Sequence, residues 1–155
     1  MNSIVSISKN RYPLKNRTSR KIKPNLIPAD AVISDTAEIG MKCKVGHYSK
    51  IGQNCRIGDN VVIGDCVTIE QNTTIGNNCV IQSGVVIGVD GFAYERDEQS
   101  FELERFPHIG EVKIGNNVQV SCNCSIARGS LSDTIIGDDT KLDALSVLLI
   151  VEYHH

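Results

Sequence analysis

A strict six-residue repeat of aliphatic residues constrains this sequence more than any other feature. From residue 27, every sixth residue is Ile or Val, eleven times without interruption: Ile27, Ile33, Ile39, Val45, Ile51, Ile57, Ile63, Ile69, Ile75, Ile81 and Ile87. Six is not a multiple of 3.6, so a helix cannot keep this row on one face, whereas a strand with its period of two can. The repeat therefore predicts an all-β chain folded as a hexapeptide parallel β-helix.

Glycine accompanies the repeat and suggests how the strands are connected. A Gly directly follows seven of these residues: Gly40, Gly46, Gly52, Gly58, Gly64, Gly76 and Gly88. We interpret this Gly as the residue that lets the chain bend sharply before the next strand. Three hexads then make one triangular turn, which adds about 4.8 Å to the stack.

Composition agrees with one solenoid domain and divides the chain by charge. The 155 residues contain no Trp, and a stack of aliphatic rungs needs no large aromatic core. Residues 1–24 hold seven of the 16 Lys and Arg and no acidic residue. We interpret this basic arm as a poorly ordered leader, with contact to an acidic partner or anionic surface, or a transit peptide, as the alternatives.

The sequence offers no sign of a membrane span, a disulfide framework or a metal site. No apolar run suits a secretory signal, and LSVLLIV near the end is too short to span a bilayer. Four cysteines share one phase of the repeat, four places after an Ile or Val: Cys43, Cys55, Cys79 and Cys124. This phase predicts small, partly buried free thiols in a reducing cytosol.

Two breaks in phase interrupt the repeat. After Ile87 the hexads resume only at Ile114, which predicts an inserted loop over 88–113. The segment ARGSLSDT then separates Ile126 from Ile136 by ten residues. We therefore divide the chain into the arm (1–24), the β-helix (25–150) and a tail (151–155).

The inserted loop concentrates aromatic residues that the coils lack. It holds four of the seven Phe and Tyr: Phe92, Tyr94, Phe101 and Phe106. Such loops often bind ligands or neighbouring chains. The alternative is that Phe101 and Phe106 only pin the loop to the coil.

Three motifs, in this order, resemble one enzyme family. They are GVDGFAY at the start of the loop, PHIGEVKIG at its return and ARGSLSDTIIG at the second break. Over about residues 24–145 the chain resembles UDP-3-O-(3-hydroxyacyl)glucosamine N-acyltransferases of lipid A biosynthesis. The short arm before the coils and the end at residue 155 lead us to expect no counterpart here of their N-terminal uridine-binding domain or of their C-terminal part.

The resemblance implies both a fold and an activity. The fold is a left-handed parallel β-helix that assembles as a homotrimer. The activity is transfer of a 3-hydroxyacyl chain from the phosphopantetheine of acyl carrier protein to the amine of a UDP-sugar, in the cytoplasm. It implies no bound cofactor and no metal, and we expect neither a nucleic-acid partner nor a transmembrane segment.

The family's functional residues map unevenly onto this sequence. Asp90, Gly91 and Phe92 match the family loop near the acceptor sugar, although Gly91 and Phe92 also suit a turn that covers the coil. The family's catalytic His falls in an Ile-Ala-His-Asn step, where this chain has Ile150. Asp143 matches the Asp that accompanies that His. His108 in the loop is the other weak catalytic candidate, and His47 has the position of a solvated turn residue.

Several functions therefore remain open. The first is the N-acyltransferase, with the competence of this chain undecided because of Ile150. The alternatives are a non-catalytic or vestigial solenoid and a small sugar O-acetyltransferase that uses acetyl-coenzyme A. A zinc carbonic anhydrase would need three His ligands across neighbouring coils. An ice-binding solenoid would need a flat Thr ladder. The sequence favours neither of these functions.

Overall fold

The protein is a parallel β-solenoid, seen in a computed structural model that describes residues 25–148. All regular structure in this range consists of strands of two to four residues. The all-β, parallel β-helix predicted from the repeat is confirmed. The basic arm, Ile150 and the tail lie outside the described residues.

Successive strands form three sheets, one on each side of the coil. The first contains β1 (Val32–Ile33), β3 (Lys50–Ile51), β6 (Thr68–Ile69), β9 (Val86–Val89), β14 (Ser125–Ala127) and β17 (Val147–Leu148). The second contains β2 (Glu38–Ile39), β4 (Arg56–Ile57), β7 (Thr73–Ile75), β12 (Val112–Ile114) and β15 (Thr134–Ile136). The third contains β5 (Val62–Ile63), β8 (Val80–Ile81), β13 (Gln119–Val120) and β16 (Lys141–Leu142).

Strand pairing shows that the rung residues stay aligned across both interruptions, although a β-bulge shifts the pairing of Ala127 to Val89 where the insertion leaves the coil. In the uninterrupted part, Ile51 pairs with Ile69, which lies three hexads further along the chain and so one full turn away. Across the first break Ile75 pairs with Ile114, and across the second break Ile114 pairs with Ile136. Rung residues therefore stack directly on one another at both breaks, and the extra residues are accommodated outside the stack.

The insertion forms a hairpin outside the coil. Its antiparallel strands are β10 (Tyr94–Arg96) and β11 (Leu103–Arg105). Strand β9 continues to Val89 and β12 begins at Val112, so the predicted loop bounds of 88–113 overlap the ends of both strands.

The core consists of each rung residue and the residue two positions before it, because alternate residues of an extended segment face the same side. Val61 and Ile63 are one such pair, with 0% and 1% of their surface exposed. The cysteines predicted to be partly buried are fully buried, and they occupy the first position of such pairs: Cys43, Cys55, Cys79 and Cys124. All six cysteines are free, and Cys66 is exposed.

The role predicted for the repeat glycines is wrong for six of the seven, and Gly88 is the exception. The residue that adopts a left-handed backbone in each turn comes three places after the rung, and it is most often Asn, as at Asn60 (φ 57°) and Asn78 (φ 59°). Among the glycines of the described chain only Gly84 and Gly88 have positive φ. The repeat glycines are instead needed for close approach: a Cβ on Gly58 would lie 2.8 Å from the carbonyl carbon of Gly76 in the next coil.

Polar side chains join successive coils at the corner between the second and third sheets. The Oδ1 of Asp59 accepts the N–H of Met41 (2.7 Å), and the Oδ1 of Asn77 accepts that of Asp59 (2.7 Å). Asn116 and Asp138 continue the same series. Each coil thus supplies a hydrogen-bond acceptor to the turn of the preceding coil, whose backbone donor would otherwise face solvent.

No helix within residues 25–148 is long and apolar enough to cross a membrane.

Candidate functional site

The inserted hairpin and the second phase break form one structural unit at the corner between the first and second sheets. The N–H of Ile109 donates to the carbonyl of Ser130 (2.8 Å), and that of Gly110 donates to the carbonyl of Gly129 (3.0 Å). Gly110 and Gly129 are buried, and a Cβ on either would collide with the carbonyl oxygen of Ser132. Both motifs therefore depend on Gly at this contact.

Asp90 is the first residue of the insertion and lies between two arginines. Its Oδ1 is 3.5 Å from Arg128 Nε, and its Oδ2 is 3.8 Å from Arg105 Nη2. The carboxylate side chain is 48% exposed. An exposed carboxylate held by flanking guanidinium groups can accept hydrogen bonds from the hydroxyl or amine groups of a ligand.

Gly91 and His108 are in contact, so the structure brings two of the predicted site residues together. A Cβ at Gly91 would lie 2.5 Å from His108 Nε2. His108 Nδ1 is 3.0 Å from the carbonyl oxygen of Phe106, and a carbonyl can only accept. Nδ1 therefore carries the proton in the neutral ring, and Nε2 is the free acceptor. This nitrogen faces the Gly91 backbone.

Phe92 does not cover the coil, contrary to the structural alternative offered for it. It is 86% exposed and makes an edge contact with Tyr94, with ring centroids 5.0 Å apart. Phe101 is also exposed, at 67%, so it does not pin the loop to the coil. The hairpin thus presents aromatic surface to solvent, beside the Asp90 carboxylate.

Asp143 lies at a different corner from the insertion. It follows β16 of the third sheet, whereas the hairpin follows β9 of the first sheet. Its Oδ1 accepts the N–H of Ala144 (2.7 Å), and its carbonyl accepts hydrogen bonds from Cys124 Sγ and Ser146 Oγ. The two weak catalytic candidates, Asp143 and His108, therefore do not form an acid–base pair within one chain.

Asp133 and Arg128, both in the second phase break, have different ionic partners. Asp133 binds Lys113 Nζ (2.5 Å) and accepts the N–H of Glu111 (2.8 Å). The hydrogen bond with Lys113 is the main cause that lowers the pKa of Asp133, and the same bond raises the pKa of Lys113. This pair secures the return of the chain into β12.

A His–Asp pair on the early coils was missed from the sequence. His47 Nδ1 is 2.9 Å from Asp30 Oδ2; the His47 side chain is mostly exposed and the Asp30 side chain is about one third exposed. The hydrogen bond between the two side chains raises the pKa of His47 and lowers the pKa of Asp30. The signal was available: the residues are 17 apart, one less than a full turn, so adjacent coils bring them together.

No group of His, Cys, Asp and Glu side chains within residues 25–148 is arranged to hold a metal ion.

Comparison with known proteins identifies the repeat. The family described as bacterial transferase hexapeptide (six repeats) matches residues 36–71 and 54–88. Residues 36–88 thus match the model of this repeat family, over about a third of the chain.

Curated relatives support the resemblance that the motifs indicated. The chain is 51% identical over 63 residues to UDP-3-O-acylglucosamine N-acyltransferase of Dechloromonas aromatica, covering 41% of this chain and 18% of that protein. It is 44% identical over 66 residues to the same enzyme of Coxiella burnetii, covering 43% of this chain and 19% of the relative. The predicted resemblance to these transferases is confirmed, over a stretch that spans about a fifth of their length.

Solved structures show the same fold. UDP-N-acetylglucosamine acyltransferase from Campylobacter jejuni superposes with a TM-score of 0.62 at 24% identity, covering 78% of this chain and 44% of that chain. The acetyltransferase domain of PglB from Neisseria gonorrhoeae gives a TM-score of 0.51 at 16% identity, covering 76% and 53%. At these identities the comparison establishes the β-helix and not the substrate.

Proposed function

We propose that this chain is the solenoid of an N-acyltransferase that acylates the amine of UDP-3-O-acylglucosamine with a 3-hydroxyacyl chain from acyl carrier protein. The observation that carries the proposal is the 51% identity over 63 residues to an enzyme of that name. The proposal places the protein in the cytoplasm, as a homotrimer, in lipid A biosynthesis. The donor is the acylated phosphopantetheine of the carrier protein, and no other cofactor takes part.

The loop of Asp90, Gly91 and Phe92 is the proposed acceptor site. Asp90 offers an exposed carboxylate for the hydroxyl and amine groups of the sugar, and Phe92 offers an exposed apolar face. Gly91 allows His108 to pack closely behind the loop. The three residues thus combine hydrogen-bond acceptors with aromatic surface, as sugar and acyl groups require.

The reaction needs a base, and neither of the two weak catalytic candidates, His108 and Asp143, is placed to act as one at the acceptor loop. The sugar amine attacks the thioester carbonyl carbon, a new C–N bond forms, the C–S bond breaks, and the carrier thiol leaves. A base must remove one proton from the amine nitrogen, and that proton is delivered to the departing sulfur, so that the carrier leaves as the thiol. His108 Nε2 is unprotonated in the neutral ring but packs against Gly91, and Asp143 lies at another corner.

A non-catalytic solenoid is the second candidate, favoured by one specific observation. Counting along the repeat gives Ile150 the place of the catalytic His of the family that the chain resembles, and an Ile side chain cannot accept a proton. In this alternative the chain retains the acceptor loop and binds the sugar nucleotide without turning it over.

A transfer assay with matched variants separates these functions. Radiolabelled 3-hydroxyacyl-carrier protein and UDP-3-O-acylglucosamine are incubated with the wild-type chain and with Ile150→His. Product from the wild-type chain supports the enzyme, and its loss in Asp90→Asn would locate the acceptor site. Product from Ile150→His alone supports a binding solenoid that lacks only the base. Absence of both turnover and calorimetric binding of the acceptor would refute both functions.

A further inference from the structure

Arg128 is the only charged side chain that is buried among residues 25–148, at 9% exposure. Burial of a guanidinium group is unfavourable unless it is paired and hydrogen-bonded. Arg128 Nε donates to the carbonyl of Gly88 (2.7 Å), and Nη2 donates to the carbonyl of Gln71 (3.2 Å). The Asp90 carboxylate, 3.5 Å from Nε, supplies the opposite charge.

These partners come from different parts of the fold and converge where the insertion leaves the coil. Gln71 lies in the turn after β6, Gly88 lies within β9, and Asp90 opens the insertion. The backbone N–H of Arg128 also donates to the carbonyl of Val89 (2.9 Å). Gly88, with φ of 84°, turns its carbonyl within reach of the guanidinium. Arg128 therefore holds the first residues of the insertion through both its backbone and its side chain.

Arg105 contacts the same carboxylate from the solvent side and provides a natural comparison. It lies on β11, its side chain is 56% exposed, and its Nη2 is 3.8 Å from Asp90 Oδ2. An exposed pair at this distance contributes little, whereas hydrogen bonds from a buried charged group contribute more. The two arginines thus differ in burial while sharing one partner.

We infer that Arg128 is a positioning residue: it fixes the Asp90 carboxylate and the adjoining Phe92 in the orientation that receives the acceptor sugar. Arg128 itself lies beneath the loop and acts through Asp90. The claim that the loop receives the acceptor sugar rests on the proposed function. The claim that Arg128 anchors the loop does not. Arg128 is thereby given a role that the sequence motif ARGSLSDT alone did not reveal.

Amide hydrogen exchange measured by NMR tests the anchoring directly. The variants are Arg128→Lys, which keeps the charge but loses the planar fork, Arg128→Gln, and Arg105→Gln as the matched control. The reporter is the Phe106 amide, which donates to the carbonyl of Ala93 across the hairpin. We expect its exchange to accelerate about 10- to 100-fold in both Arg128 variants, as loss of charge-assisted hydrogen bonds predicts. Exchange at the coil amide of Gln82 stays unchanged.

Calorimetric binding of UDP-3-O-acylglucosamine to the same variants tests whether Arg128 positions the loop for the acceptor sugar. We expect about tenfold or greater weakening in Arg128→Lys and less than about threefold in Arg105→Gln, in line with their different burial. Unchanged exchange at Phe106, or equal acceleration at Gln82, overturns the positioning role. If the wild-type chain does not bind UDP-3-O-acylglucosamine, both the proposed function and the proposed effect of Arg128 on sugar binding are refuted. The hydrogen-exchange result would still decide whether Arg128 anchors the loop.

Discussion

Alanine substitution of two equivalent glycines, Gly58 and Gly137, is predicted to change stability in opposite directions. Both follow a rung residue at the corner between the second and third sheets, and neither has positive φ. A Cβ on Gly58 would lie 2.8 Å from the carbonyl carbon of Gly76 and 2.5 Å from Asn77 Oδ1. A Cβ on Gly137 would meet no described atom within 4 Å.

The magnitude follows from these distances. Carbon atoms pack best at about 3.5–4.0 Å, so Gly58→Ala forces the next coil to move by about 0.7 Å or more. Overpacking of this kind costs about 1–3 kcal/mol. It also displaces Asn77 Oδ1 from the Asp59 N–H, a hydrogen bond with a net value of about 1 kcal/mol. In both variants, Ala lowers the conformational entropy of the unfolded chain, which stabilises the folded protein by about 0.4–1 kcal/mol.

We therefore expect Gly58→Ala to lower the free energy of unfolding by about 1–3 kcal/mol, and Gly137→Ala to raise it by about 0.4–1 kcal/mol. Guanidinium chloride unfolding followed by circular dichroism measures both values against the wild-type chain. Equal effects in the two variants would refute the argument, because contact between coils would then not be the reason for Gly. Stabilisation by Gly58→Ala would refute it even more directly.

Three further predictions concern the core, the thiols and the charged pair on the early coils. Ile69→Ala, in the fully buried centre of the stack, should cost about 2–5 kcal/mol in chemical unfolding, whereas Ile27→Ala, at a site 42% exposed, should cost clearly less. A thiol reagent should label Cys66 in the native protein and spare Cys55, where burial raises the thiol pKa, until the protein unfolds. The stabilising effect of His47, measured against His47→Gln, should be greatest between about pH 4 and 6.5 and decline on either side.

The sign of the pH effect follows from the two pKa shifts. Because Asp30 raises the pKa of His47 above 6.5, the contribution of His47 is complete below that value and is lost as pH rises through the raised pKa. Because His47 lowers the pKa of Asp30 below 3.8, the contribution of Asp30 is present above 3.8 and is lost as pH falls through the lowered pKa. Asp65, which also raises the pKa of His47, does not alter this direction. A flat difference between wild type and His47→Gln from pH 4 to 9 would contradict the pairing.

Controls make the other two predictions decisive. Equal losses of stability at Ile69 and Ile27 would show that depth in the stack does not determine the cost. Labelling of Cys55 as fast as Cys66 in the folded protein would show that the core opens locally. Mass spectrometry of labelled peptides distinguishes the sites.

The sequence by itself determined the coil. The six-residue period fixes which residue of each short strand faces inward, so the rungs, their stacking and the burial of Cys55 follow from local spacing alone. The two phase breaks also marked where the chain leaves the coil. The repeat did not reveal why Gly is needed at positions such as Gly58. Its close approach to Gly76 is a contact between successive coils, and spacing within one turn does not show such a contact.

Only the tertiary structure decided how the candidate site is assembled. Arg128 meets Gln71 57 residues away, and Gly110 meets Gly129 through backbone groups that carry no sequence signal of their own. The same structure separated Asp143 from His108 by assigning them to different corners. Local spacing specifies which way a side chain faces, whereas the partner of a buried charge depends on loops whose paths the repeat does not encode.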